Sequence, residues 1–151
     1  MINTILIVGI ISSLLFYEIT EISPGGIIAP VYLAMYIDAP QKIAITLILA
    51  IFTYIVVEFL STFMILYGRR KFVVYIAMSL ILKVIFEKIG FVMLESLEIF
   101  ISTSAIGIII PAIIARDVEK QGILKTICSI LMVSIFTKVV TELIYNLGAI
   151  L

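Results

Sequence analysis

Histidine is missing altogether, and the chain holds a single cysteine and four prolines. Without histidine there can be no Ser-His-Asp triad, no Cys-His dyad and no imidazole metal site. Cys128 has no partner for an internal disulfide, and in its apolar run it reads as a small packing residue. Charge is scarce as well: 13% of residues are Asp, Glu, Lys or Arg, against about 25% in a soluble domain. The formal net charge is zero, so composition does not point to nucleic acid. What fills the space is hydrocarbon. Apolar residues make up 64% of the 151 positions, too many for a surface that must face water, and the length suits one membrane domain, 1–151.

Long apolar runs follow one another between polar breaks. Ile5–Tyr17 ends at Glu18–Gly26, a breaker cluster containing Ser23, Pro24, Gly25 and Gly26. Ile27–Ile37 is apolar but too short to span alone. Ile43–Tyr67 is a strong span that Gly68-Arg69-Arg70-Lys71 ends sharply, and Phe72–Leu94 is another. Ile106–Ala115 is a second short segment, and Ile123–Leu147 is the last long one. The first residues carry no basic region and are followed by no small-residue cleavage site, so they read as a retained span.

Two stretches recur. Gly26-Ile-Ile-Ala-Pro30 reappears as Gly107-Ile-Ile-Ile-Pro111, and Phe52-Thr53 through Glu58 reappears as Phe136-Thr137 through Glu142, at offsets of 81 and 84 residues. The expectation is an all-α membrane bundle of two inverted repeats, 1–67 and 72–151, joined by the basic turn 68–71, each with a Gly/Pro-broken short segment. Proline removes a backbone donor and crowds the carbonyl four residues back, so these breaks need protein or water beside them. Gly26, Pro30, Gly107 and Pro111 are thus candidates to line a polar path near the pseudo-twofold axis. Close packing at Gly and kinking at Pro is the plainer alternative. If the short segments cross, Arg69, Arg70, Lys71, Arg116, Lys120 and Lys125 share one side against Lys42 and Lys88. Positively charged loops favour the cytoplasm, which selects six crossings, some short or broken, with both termini outside.

Five charges fall inside the spans: Glu58, Lys83, Glu87, Lys138 and Glu142. Each costs roughly 2.5–3.5 kcal/mol at a helix centre, so partners are expected. Lys83 with Glu87, and Lys138 with Glu142, have i,i+4 spacing. Glu58 has none and is expected to reach Lys138 or Lys83 across the bundle.

The run Phe63-Met-Ile-Leu-Tyr67-Gly68-Arg69-Arg70-Lys71-Phe72 resembles the signature of the small membrane subunit of bacterial poly-gamma-glutamate synthase, the PgsC/CapC capsule biosynthesis family. The resemblance extends over the chain through Glu18, Thr20, Pro24, Gly26, Pro30, Tyr32-Leu33-Ala34, Lys83, Glu87, Gly107, Pro111, Gln121 and Gly122. Ile19 and Arg116-Asp117 depart from it, so it carries no role onto Arg116. It implies a multi-pass subunit of the bacterial cell membrane. Its partners would be an ATP-dependent amide ligase resembling Mur ligases, a further membrane-anchored capsule subunit and the polyglutamate product, with a homo-oligomer also open. ATP and a divalent metal belong to that ligase; this chain carries no Gly-rich phosphate loop, and neither a catalytic residue nor a metal site of its own is expected. Arg69, Arg70 and Lys71 become contact residues for polymer or ligase, alongside their role as topological anchors. The alternatives are a free-standing small transporter or channel of inverted-repeat type and, last, a membrane enzyme using Glu18 and Glu21 beside the Ser23-Pro24 break.

Overall fold

The computed structural model describes residues 2–64, 68–93 and 109–150. All regular structure among them is α-helical: α1 (Ile2–Thr20), α2 (Ile28–Met35), α3 (Pro40–Phe63), α4 (Arg69–Met93), α5 (Ile110–Gln121) and α6 (Ile123–Ile150). Among the described residues three helices, α1, α3 and α6, are long and apolar enough to cross a membrane. At a rise of 1.5 Å per residue, α2 and α5 are only about 12 and 18 Å long, well short of a hydrocarbon core of about 30 Å.

Burial follows the logic of a bundle in lipid. Large apolar side chains such as Ile7, Leu15, Phe52, Ile55, Phe59, Met132 and Phe136 point outward, while small residues fill the interfaces. Many buried interface residues are serines and threonines, and most of them return their proton to their own helix. Thr53 Oγ1 donates to the Leu49 carbonyl at 2.7 Å, and Thr137 Oγ1 to Val133 at 2.8 Å. Ser13, Ser134 and Thr141 do the same four residues back. These bonds satisfy hydroxyls that hydrocarbon could not.

The two recurring motifs occupy matching environments. Thr53 and Thr137 are buried beside outward-facing Phe52 and Phe136, and Pro30, Leu33 and Ala34 are buried as are Pro111, Ile114 and Ala115. The packing partners match too. Exchanging α1 with α4, α2 with α5 and α3 with α6 turns the α1–α2 contact into α4–α5, α3–α4 into α6–α1, and α3–α5 into α6–α2, and leaves α2–α5 unchanged. The α5–α6 contact, across the Gly122 junction, has no counterpart among the larger contacts.

The prolines do not interrupt helices, contrary to expectation. Pro30 lies in the first turn of α2 and Pro111 in the first turn of α5. There the missing N–H would have had no helical partner, and no carbonyl four residues back is crowded. Before α2 the break is made by Gly25 and Gly26 at φ +74° and +76°. A Cβ on Gly25 would sit 2.6 Å from Ile130 Cδ1 of α6.

Candidate functional site

The bundle has two polar ends. One gathers the end of α1 and the loop after it, the end of α3, the start of α4, the end of α5 and the start of α6. Ser23 reaches Gln121 and Asp117 here, and Lys71 reaches Glu58 and Glu119. It carries Arg69, Arg70, Lys71, Arg116, Lys120 and Lys125, and we call it the basic end. At the opposite end Lys138 Nζ lies 2.8 Å from Asp38 and 3.8 Å from Glu142. A cavity of about 210 Å³ there is lined by Ile5, Lys138, Thr141, Glu142, Tyr145 and Asn146. The cations grouped from the sequence on the crossing model thus lie together.

Two constellations build the basic end. In the first, the non-helical loop before α2 is tied to the second half of the chain. Ser23 N–H donates to Gln121 Oε1 at 3.0 Å, and Gln121 Nε2 returns a bond to the Ser23 carbonyl. Ser23 Oγ donates to Asp117 Oδ2 at 2.5 Å and accepts from Gly26 N–H at 3.2 Å. Gln121 Nε2 also donates to Thr126 Oγ1 at 3.2 Å, and Thr126 donates to the Gly122 carbonyl at 2.8 Å. Loop backbone without helical partners is thereby satisfied inside protein, as a bilayer requires. Gly122, at φ +91°, accomplishes the turn between α5 and α6 while its N–H caps Val118. Asp117 carries a side chain only 8% exposed, and Lys120 Nζ stands 4.0 Å from it.

The second constellation is a cavity of about 250 Å³ lined by Gly68, Lys71, Phe72, Tyr75, Arg116, Glu119 and Lys120. Lys71 Nζ is held by Glu119 at 2.5 Å and Glu58 at 3.3 Å. The Arg116 guanidinium stacks over the Phe72 ring at 4.8 Å. Among the described residues no carboxylate pairs with it. Tyr75 is fully buried in the α3–α4–α5 interface with Val57, Ala112 and Ala115, and its hydroxyl makes no hydrogen bond. An unmet buried hydroxyl costs roughly 1–3 kcal/mol.

These contacts correct the sequence reading at Glu58. Its partner is Lys71, while Lys138 is taken by Asp38. Glu58 stands in the last turns of α3, half-exposed beside the basic turn, so no partner across the bundle is required. The Lys138–Glu142 pair is present, strengthened by Asp38. Glu87 falls in α4, but its side chain lies outside the described residues, as do Tyr67 and Gly107. Lys83 is partly buried along α4, and Arg69, Arg70 and Glu18 are exposed. Gly26 packs 3.0 Å from Ile113 at its would-be Cβ, and the core between the short helices holds Ala29, Leu33, Ile110 and Ile114. The sequence reading missed Tyr75, Glu119 and Thr126. Charges at 116, 119 and 120 on a helix otherwise buried through Ala112 and Ala115 mark one polar face, which was the signal available for Glu119.

A family model described as capsule biosynthesis CapC matches residues 8–127. The chain belongs to that family. It is 38% identical over 130 residues to the PGA biosynthesis protein CapC of Bacillus subtilis (strain 168), covering 85% of each chain. It is 37% identical over 141 residues to the capsule biosynthesis protein CapC of Bacillus anthracis, covering 93% of each. No solved structure matches. The family match takes in the basic turn, the first short helix with Pro30 and the whole of α5, so both constellations lie within it.

Proposed function

We propose that this chain is an integral membrane subunit of a capsule-synthesis complex that makes and exports poly-gamma-glutamate. It docks a cytoplasmic ATP-dependent amide ligase at its basic end and helps move the polyanion outward. A further membrane-anchored capsule subunit completes the assembly. The observation that carries this reading is the convergence of Arg69, Arg70, Arg116, Lys120 and Lys125 on one end of the bundle, with Arg69 and Arg70 exposed. Cations near membrane edges favour the cytoplasmic side, where ATP is available to the ligase, and a field of one sign concentrates an anionic product. The names of the two relatives, one a PGA and one a capsule biosynthesis protein, agree with it.

The duplicated motifs, their matched burial and the exchange of helix neighbours support two inverted repeats. In such an arrangement α2 and α5 are partial crossings that meet in the membrane interior, and the chain is multi-pass. The test is co-purification. An affinity-tagged chain extracted in mild detergent is expected to bring down the ligase, and Arg69→Gln/Arg70→Gln is expected to reduce the yield of ligase several-fold without lowering the amount of chain in the membrane. Recovery of the wild-type chain without any ligase would contradict the reading.

A further inference from the structure

The cavity beside the basic turn combines three features that go beyond a clustering of cations. Arg116 sits over the Phe72 ring, 4.8 Å from its centroid, and its N–H groups are not committed to any carboxylate among the described residues. Tyr75 lines the same cavity with a buried hydroxyl that has no hydrogen-bond partner. Glu119 acts on that hydroxyl most strongly, by charge and as an acceptor just short of hydrogen-bond geometry, and Glu58 by charge alone; both carboxylates are engaged with Lys71. The charges balance: Lys71, Arg116 and Lys120 stand against Glu119 in the walls, with Glu58 on Lys71 and Asp117 on Lys120, which leaves Arg116 as the cation with no carboxylate of its own among the described residues. A planar, singly charged acceptor fits these groups. A guanidinium presents paired donors to a carboxylate, and a phenol donates to one of its oxygens. A doubly charged phosphate would overfill the site next to two carboxylates already present.

We infer that the cavity between the start of α4 and the end of α5 is a binding site for a carboxylate of an anionic chain, received by Arg116 and the Tyr75 hydroxyl. The identity of that chain as a gamma-linked glutamyl polymer rests on the proposed function. The site itself rests on geometry, since the family resemblance carries no role onto Arg116. Lys71 is a positioning residue: its bridge to Glu119 ties α4 to α5 and draws off a carboxylate that would otherwise compete for Arg116. The site opens at the basic end, next to exposed Arg69 and Arg70, which extend the positive field outward.

The experiment uses the full chain in nanodiscs of zwitterionic lipid and a fluorescent gamma-linked glutamyl pentamer. The wild type binds the pentamer, and inorganic phosphate at equal concentration competes poorly. Arg116→Gln weakens binding by at least about tenfold, and Tyr75→Phe by about tenfold, as expected for hydrogen bonds to a charged group. The Tyr75→Phe chain melts no lower than wild type, because an unpartnered buried hydroxyl has been removed; a purely structural tyrosine would not combine unchanged stability with lost binding. Lys42→Gln, at the far end, leaves binding unchanged. The inference is overturned if the wild type does not bind, if Arg116→Gln or Tyr75→Phe binds as tightly as wild type, or if phosphate competes as well as the pentamer. It is also overturned if phosphatidylglycerol in the nanodisc abolishes pentamer binding, which would make this a lipid headgroup site. Ligase co-purification separates this failure from that of the proposed function: a chain that still recovers ligase but fails these arms loses only the site.

Discussion

Lys71 holds two carboxylates with one ammonium, and the two are not equal. Glu119 is closer, at 2.5 Å against 3.3 Å, and its side chain is 30% exposed against 51% for Glu58. Exposed pairs contribute about 0–1 kcal/mol and buried ones lose more when broken. Glu58→Gln is therefore expected to lower thermal stability little, and Glu119→Gln more. Lys71→Met is expected to lower it most, since it leaves two carboxylates facing one another; melting of the detergent-solubilised variants orders the three. Glu58 was legible in the sequence as a charge that needed a partner. The identity of that partner was not. It depends on where α3 stops and how a lysine side chain folds back over the turn, and neither is written in periodicity. Tyr75 was illegible for a similar reason. A tyrosine in an apolar helix looks like packing until the helices around it are in place.

Among the elements, the two short helices were read correctly as short and Pro-bearing, but the site of the break was misjudged. Proline in sequence signals an interruption; only the helix start reveals whether it lies inside or in the first turn, where it is harmless. The interruption is carried by glycine, and two glycines separate its causes. Gly122 needs its positive φ but has open space where a Cβ would stand, whereas Gly25 also has a positive φ and presses on Ile130. Gly122→Ala should cost only the backbone strain, about 1–3 kcal/mol. Gly25→Val should cost that strain plus displacement of Ile130, giving the larger fall in melting temperature. Gln121 was found through the family resemblance, not through its chemistry. Its amide bonds both the N–H and the carbonyl of Ser23 across 98 positions of sequence, a contact no local pattern encodes. Gln121→Ala leaves these partners unmet, a loss of roughly 1–3 kcal/mol. It is expected to raise proteolytic cleavage in the loop 21–27 more than elsewhere.

For the molecule as a whole, composition and the doubled motifs were enough to read an all-helical chain of membrane character. The same count of cations that separated the crossing model from its rival anticipated which charges converge. Arg69 to Lys71 sit beside Arg116 and Lys120 because α3 and α5 end where α4 begins. What sequence could not supply was the interior between α2 and α5, where Ala29, Leu33, Ile110 and Ile114 pack against each other. A polar route suggested by Gly26, Pro30, Gly107 and Pro111 has to reckon with that apolar seam, whose composition depends on which helix faces turn inward. The basic end has to lie on the cytoplasmic side if it is to meet an ATP-dependent ligase. Single cysteines at Arg70→Cys, Lys120→Cys and Gln41→Cys, in a Cys128→Ala background, can be probed with a membrane-impermeant maleimide. The expected result is labelling of the Gln41→Cys chain in intact cells, and of Arg70→Cys and Lys120→Cys only after permeabilisation. Labelling of Arg70→Cys or Lys120→Cys from outside intact cells would contradict it.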